Sequence, residues 1–317
     1  VNACLLADIG GTWARFALLD GLKLGTIEAV QTGAYANAVD AIRHFLNNRQ
    51  EDAITVDSAV IAAAGPVEGG RCALTNASWV VTCDELKQDF HLRSVNLVND
   101  LGALAWAVPH FTSEDVVGVG GGVELASAPV VLLAPGTGLG MACFIPGRDG
   151  DRVLSSEGGH ATLAATDAAE TAAIDLLRHR HGHVSAERVL SGRGLMALHE
   201  ALTVQGQAHA LAGSPEQVVR EAVYGTCDTA RRALDMFCGF LGSVAGNAAL
   251  TFGARGGVLI AGGIVPKIVD YLDRSTFRER FESKGRLHRY LAHVPTRVVT
   301  RRDPTFLGLT ALAHERQ

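Results

Sequence analysis

Ala3-Cys4-Leu5-Leu6-Ala7-Asp8-Ile9-Gly10-Gly11-Thr12-Trp13-Ala14-Arg15-Phe16-Ala17-Leu18-Leu19 reads as two apolar strands, Ala3 to Ala7 and Trp13 to Leu19, joined by the turn Asp8 to Thr12. The glycines of that turn let backbone N–H groups approach a phosphate closely, and Thr12 adds a hydroxyl donor. The carboxylate of Asp8 is placed to hold Mg2+ through water. The same five residues, met alone, also read as an ordinary hairpin turn. A third strand, Lys23 to Gln31, follows the turn Asp20-Gly21 and completes a meander.

Outward from this meander, Ala38, Ile42, Phe45 and Leu46 recur at helical spacing between Asn37 and Asn48. The apolar strand Asp57 to Ala64 ends in Gly65-Pro66, and the strand Ser94 to Val98 ends in Asn99-Asp100. A helix from Leu101 to Ala107 stops before Pro109, because proline disfavours helical geometry in the residue ahead of it. Pro109 to Asp115 is a hinge candidate.

The second half repeats the pattern: strand Val130 to Ala134, Gly-rich turn Pro135 to Gly140, strand Met141 to Ile145 and a short strand Arg152 to Leu154. Thr166-Asp167 caps a helix Ala168 to Arg180, and Ser214-Pro215-Glu216 opens another. A long helix from about Thr226 to Leu250 precedes a buried-looking strand, Gly257 to Ala261, and a helix from about Val265 to Leu272. The last helix, Thr305 to Glu315, is expected to return to the first domain. Two α/β units, each opened by strands joined through a Gly-rich turn, predict a duplicated architecture with a nucleotide cleft between lobes.

The glycines of 136–140 run G-x-G-x-G into a strand, not a helix, which disfavours a dinucleotide site and suits a hairpin facing the outer phosphates of ATP. Gly262-Gly263 ends the strand that starts at Gly257, so a ribose or adenine face fits there, as does close strand–helix packing. No Gly-x4-Gly-Lys-Ser/Thr element occurs, which excludes the P-loop class. Asp100 follows a strand directly, at the end that faces ligands in open α/β sheets, where a carboxylate accepts a proton from an attacking hydroxyl. Asn99 both donates and accepts, as sugar hydroxyls require, and equally suits a helix N-cap. Glu157, His160 and Glu187 lie on or near Gly-rich turns and offer convergent acceptors for a polyol, though each taken singly also reads as a surface Glu or a structural His. His179, His181 and His183 suggest a metal, but Arg178 to Arg180 form the basic last turn of a helix that Gly182 ends, so capping is the reading and no zinc site is expected.

With 48% hydrophobic and 19% charged residues, the 317-residue chain buries a large core. Its 33 acids and 28 bases are spread without a basic block, which argues against nucleic acid. Mean hydropathy is +0.18, yet no apolar run approaches the roughly 20 residues of a membrane span. The first residues lack a basic region or a cleavage site, so the cytoplasm is expected. Six cysteines without a CxxC pair read as reduced and structural.

In this order, Ala7 to Thr12, Leu74-Thr75-Asn76-Ala77-Ser78-Trp79, Asn99-Asp100, Gly136 to Gly140, Glu157-Gly158-Gly159-His160, Ser185 to Gly192 and Ala261 to Pro266 resemble the bacterial glucokinase family over nearly the whole chain. The resemblance implies the actin-like ATPase/hexokinase fold, two ribonuclease-H-like lobes around a nucleotide and sugar cleft. The small domain is expected at 1–110 plus 301–317, and the large one at 111–300. It also implies ATP-dependent phosphorylation of D-glucose to glucose 6-phosphate, with Mg2+, in a homodimer. Carried over by position, Asp100 is the base for the 6-hydroxyl, and Asn76, Asn99, Asp100, Glu157, His160 and Glu187 line the sugar. Asp8, Gly10, Gly11, Thr12, Gly136, Thr137 and Gly138 hold phosphates and Mg2+, while Gly262 and Gly263 border the adenosine. Trp13 departs from the family, where many relatives have Asn, so only the backbone phosphate contacts carry over there. The related zinc-bearing sugar kinases have a Cys/His cluster that this chain lacks. A sugar sensor without turnover and an interaction ATPase are the competing readings; no DNA-binding or peptide-binding appendage supports either.

Overall fold

The apolar stretch that begins the chain forms an antiparallel hairpin, β1 (Asn2–Ile9) with β2 (Trp13–Asp20), in register from Cys4 opposite Leu19 to Ile9 opposite Ala14. The computed structural model describes residues 2–49, 55–206 and 213–315. The chain divides into two units, Val1–Phe111 with Arg302–Gln317, and Thr112–Arg301.

In the first unit the expected third strand is broken into β3 (Lys23–Leu24) and β4 (Glu28–Gln31), both paired with β2. The break lies at 25–27, where the Gly25 N–H donates to Leu18 O at 2.8 Å. The helix α1 (Ala38–Asn47) starts at Asn37, whose side chain accepts from Asp40 N at 2.8 Å. β5 (Thr55–Ala63) then lies parallel to β1. A small sheet the sequence did not disclose, β6 (Val67–Glu68), β7 (Arg71–Ala73) and β8 (Val80–Thr82), leads into α2 (Cys83–Phe90). β9 (Ser94–Asn99) runs parallel to β5 and passes directly into α3 (Asp100–Ala105); Pro109 sits in a 3-10 turn beyond it.

β1 is apolar on consecutive positions because both of its faces are covered. Leu5, Ala7 and Ile9 join the core that holds Ile42 and Phe45, whereas Cys4 and Leu6 meet Ala103, Phe306 and Leu309. Each fully buried Leu, Ile or Phe there contributes about 1.5–3 kcal/mol.

The second unit repeats the sheet. Its order is β10 (Val116–Gly118), β15 (Thr296–Val299), β14 (Gly257–Ile260), β11 (Val130–Pro135), β12 (Leu139–Ile145) and β13 (Arg152–Ser156). The path β13-β12-β11-β14-β15 matches β3-β2-β1-β5-β9 strand for strand. Each path has an antiparallel hairpin and two strands parallel to the hairpin's first strand or to each other. Around it lie α4 (Ala168–His181), α5 (Gly192–Gly206), α6 (Pro215–Val223), α7 (Asp228–Phe252), α8 (Val269–Arg274), α9 (Phe277–Glu282) and α10 (His288–Ala292). Asp167 and Ser214 cap α4 and α6 as expected, and Gly182 ends α4 at φ +69°. The helix expected from Val265 is instead a 3-10 turn followed by α8.

α7 corrects one expectation, because by length and composition it is apolar enough to cross a membrane. Leu234, Phe237, Phe240, Leu241, Val244 and Leu250, with the alanines between them, give it that character although Asp235, Ser243 and Asn247 interrupt the run, and 78% of its apolar stretch is buried within the protein. Gly242 and Gly246 let it approach α9 so closely that a methyl on either would collide with the carbonyl of Phe277 or Phe281. Beside them buried Glu170 holds Arg280 through both oxygens, at 2.6 and 3.1 Å. The chain ends its described part in α11 (Thr305–Glu315), which belongs to the first unit. All six cysteines are free thiols.

Candidate active site

In the first unit Ile9, Ala63 and Asn99 are neighbours across three parallel strands, so the segments that follow them emerge at one edge of the sheet. The turn 10–12 is held by Thr32, whose Oγ1 donates to Gly10 O at 2.9 Å and whose N–H donates to Thr12 O at 3.0 Å. The N–H groups of Gly11 and Thr12 donate to no described residue, which leaves two successive donors for an anion. Asn76 packs on this turn: a methyl on Gly11 would lie 2.8 Å from Asn76 Cβ. Gly65 is equally confined, 2.6 Å from such a methyl to Ala73 O.

Asn99 is the N-cap of α3. Its Oδ1 accepts from Leu101 N and Gly102 N, both at 3.1 Å, and its Nδ2 donates to Gly65 O at 3.1 Å. One N–H of the amide remains for a ligand. Asp100 begins α3, with Oδ1 accepting from Leu101 N at 2.8 Å, which orients the carboxylate.

Asp8 is opposite Arg15 across the hairpin and paired with it at 3.4 Å, and the Arg15 Nε is 3.4 Å from Asp303. The Asp8 side chain is only 17% exposed. Burial pushes its carboxyl up to about 6; Arg15 opposes the rise, and the charges of Asp100 and Asp303 add to it. Arg15 and Asp303 were not anticipated. The hairpin register places Arg15 beside Asp8, so that signal was present in the sequence; nothing local marks Asp303, a non-glycine residue at φ +49°.

In the second unit the turn 136–138 is closed by Gly136 N donating to Gly138 O at 2.8 Å, and Gly136 O accepts from Gly192 N at 2.9 Å. The N–H groups of Thr137 and Gly138 again donate to no described residue. Gly262, at φ +88°, is pressed against the Pro135 backbone, so the paired glycines 262–263 flank this turn. Only Gly fits there, since a side chain would meet both the backbone strain and the Pro135 carbonyl.

Glu187 also reaches the turn. Its Oε2 accepts from Leu139 N at 2.9 Å, and its own N–H donates to Gly159 O at 2.8 Å. The structure thus ties the backbone of Glu187 to the loop that carries Glu157 and His160, and its side chain to the Gly-rich hairpin. His160 Nε2 and Glu157 Oε2 lie 3.8 Å apart, and both side chains are more than half exposed. Trp13 is 42% exposed. Among the described residues no group of three His, Cys, Asp or Glu is arranged to hold a metal. Mg2+ is compatible with that, because it takes one or two carboxylates plus phosphates and water. Asp8 offers such a carboxylate, and its difficulty in ionising is what a cation would relieve.

The family model for glucokinase matches residues 5–316. The glucokinase of Paramagnetospirillum magneticum is 40% identical over 311 residues, covering 97% of this chain and 96% of that protein. That of Aromatoleum aromaticum is 42% identical over 306 residues, covering 96% and 92%. The crystal structure of a glucokinase from an Antarctic psychrotroph superposes with a TM-score of 0.86 at 34% identity, covering 99% of each chain. The doubled sheet is that of the actin-like ATPase/hexokinase fold. Because the match takes in both hairpins and every loop described above, this chain belongs to the glucokinase family.

Proposed function

We propose that the protein transfers the γ-phosphoryl group of ATP to the 6-hydroxyl of D-glucose, giving ADP and glucose 6-phosphate. The observation that carries this reading is the family match over residues 5–316; the two hairpins, each offering consecutive backbone N–H groups, support it. Asp100 accepts the proton of the 6-hydroxyl as its oxygen bonds to the γ-phosphorus and the bond to the β-phosphate oxygen breaks. The residual N–H of Asn99, the Asn76 segment, Glu157, His160 and Glu187 orient the sugar. The N–H groups of 11–12 and 137–138 meet the phosphate oxygens, and Gly262 with Gly263 gives the adenosine room. Asp8 would hold Mg2+ through water, and the ion would supply charge neutralisation for the phosphates.

We assign the working state as a cytoplasmic homodimer; the six free thiols suit a reducing compartment, and two-fold dimers are the commonest symmetric assemblies. The test is ADP release from Mg-ATP across a panel of hexoses, with a no-sugar control and positional analysis of the product. Glucose-dependent release with phosphate on the 6-hydroxyl is expected. Sugar-independent release, or tight glucose binding without turnover, overturns the reading in favour of an ATPase or a sensor.

A further inference from the structure

We propose that Glu187 is a positioning residue for the 136–138 hairpin as well as a sugar ligand, so that glucose and the ATP phosphates are coupled through one carboxylate. The inference rests on the kinase reading above. Three observations in the second unit carry it. Oε2 of Glu187 accepts the Leu139 N–H at 2.9 Å, a charge-assisted bond at the first residue after the turn. A methyl on Gly138 would collide with that same oxygen, so the turn is shaped around the carboxylate. The backbone of Glu187 is tied in turn to the sugar loop, through its N–H to Gly159 O at 2.8 Å and through Ala186 N to Ala161 O at 2.9 Å. Gly159 itself is pressed on the Leu139 carbonyl. Leu139 therefore stands between the sugar loop and Glu187, and any shift of the carboxylate moves the N–H groups of 137–138.

Oε1 of Glu187 makes no hydrogen bond to any described residue. One oxygen is thus committed to the hairpin, and the other is available to a sugar hydroxyl. A hydroxyl bound at Oε1 fixes the plane of the carboxylate, which fixes Oε2 and the hairpin it holds. By linkage the effect is reciprocal: bound nucleotide tightens glucose by the factor with which glucose tightens nucleotide.

The experiment measures binding of glucose and of a non-hydrolysable ATP analogue by calorimetry, each with and without the other, on the whole protein. In the wild type each ligand is expected to tighten the other, by roughly fivefold or more. Gly138→Ala, in the nucleotide hairpin, should weaken glucose binding roughly tenfold by displacing the carboxylate, and should bring the coupling factor close to one. Glu187→Ala should weaken the analogue measured without sugar. Glu187→Gln keeps an acceptor for Leu139 N–H and should leave that affinity near wild type while weakening glucose. Should Gly138→Ala fail to fold by circular dichroism, the Ala and Gln variants at 187 decide the matter. Unchanged glucose affinity in folded Gly138→Ala, or unchanged analogue affinity in Glu187→Ala, overturns the inference. A wild type that binds both ligands without making glucose 6-phosphate breaks the kinase reading instead, and leaves the coupling to be judged by the binding data.

Discussion

The two hairpins occupy the same place in two equivalent sheets, yet they are charged by different means. Across the first, Asp8 faces Arg15; at the matching positions of the second, Ala134 faces Gly140. The first turn carries its carboxylate on its own strand and balances it with a cation on the next. The second is bare, and receives the carboxylate of Glu187 from 48 residues beyond the Leu139 it binds. Both turns nevertheless present two successive N–H groups without a described protein partner. The duplication therefore preserves the backbone cradle and lets the charge differ. Under the proposed function, that difference divides the labour, the first turn serving a cation as well as phosphate and the second phosphate and sugar alone.

The largest effect expected from breaking this asymmetry is at Asp8. Asp8→Asn should lower kcat/KM by a factor on the order of 10²–10³, and at pH 8 should stabilise the ligand-free protein. Folding raises the Asp8 pKa from 3.8 to about 6, so the folded state holds a proton that the unfolded chain has released over that interval. Stability therefore falls as pH climbs through it, by about 3 kcal/mol in all, and Asn does not incur the loss. Urea unfolding at pH 4 and pH 8 measures it; equal stability of both proteins at pH 8 would show that Arg15 already compensates the charge.

The reverse change, Ala134→Asp, adds a carboxylate with Gly140, not a cation, opposite it. A loss of about 1–3 kcal/mol is expected in the same assay. Gly11→Ala should cost a similar amount at most, and because its methyl meets Asn76 it should raise the KM for glucose. A change confined to the KM for ATP would separate the Asn76 segment from the sugar.

The smallest effect contrasts the units by pH. His199, on α5 of the second unit, is 1% exposed, and neither ring nitrogen has a hydrogen-bond partner among the described residues. Burial lowers its pKa, with the Glu221 charge opposing. The unfolded chain therefore takes up a proton first, and stability is lost as pH falls below 6.5. His199→Leu should flatten that acid slope in urea titrations, the opposite sign to Asp8; an unchanged slope would assign acid lability to other groups.

The parts of this arrangement that were legible in the sequence are those with local causes. The β1–β2 and β11–β12 hairpins declare themselves through apolar runs around glycines, and α4 and α6 through Asp167 and Ser214. By contrast α2, Cys83-Asp84-Glu85-Leu86-Lys87-Gln88-Asp89-Phe90, places only Cys83, Leu86 and Phe90 on the core, a stripe of three residues too short to stand out in the sequence. At five and six residues α10 and α9 are too short to show a period, and α5 begins with Gly192 and Gly194, which read as a turn. The glycine turns that carry the candidate site residues were legible for the same local reason. The partners that tune them were not: Asp303 reaches Arg15 from nearly the other end of the chain, and the Leu139 N–H meets Glu187 only through the fold. Asn99 suited a cap and a sugar ligand equally, and its Oδ1, accepting from Leu101 N and Gly102 N, shows the cap.

The most direct test of the account is Asp100→Asn, with turnover and glucose binding measured on one preparation. Asn keeps an acceptor for Leu101 N–H but cannot take the hydroxyl proton. A fall in kcat on the order of 10²–10⁴ with glucose affinity nearly unchanged is expected. Turnover close to wild type would contradict the assignment of Asp100 as the base.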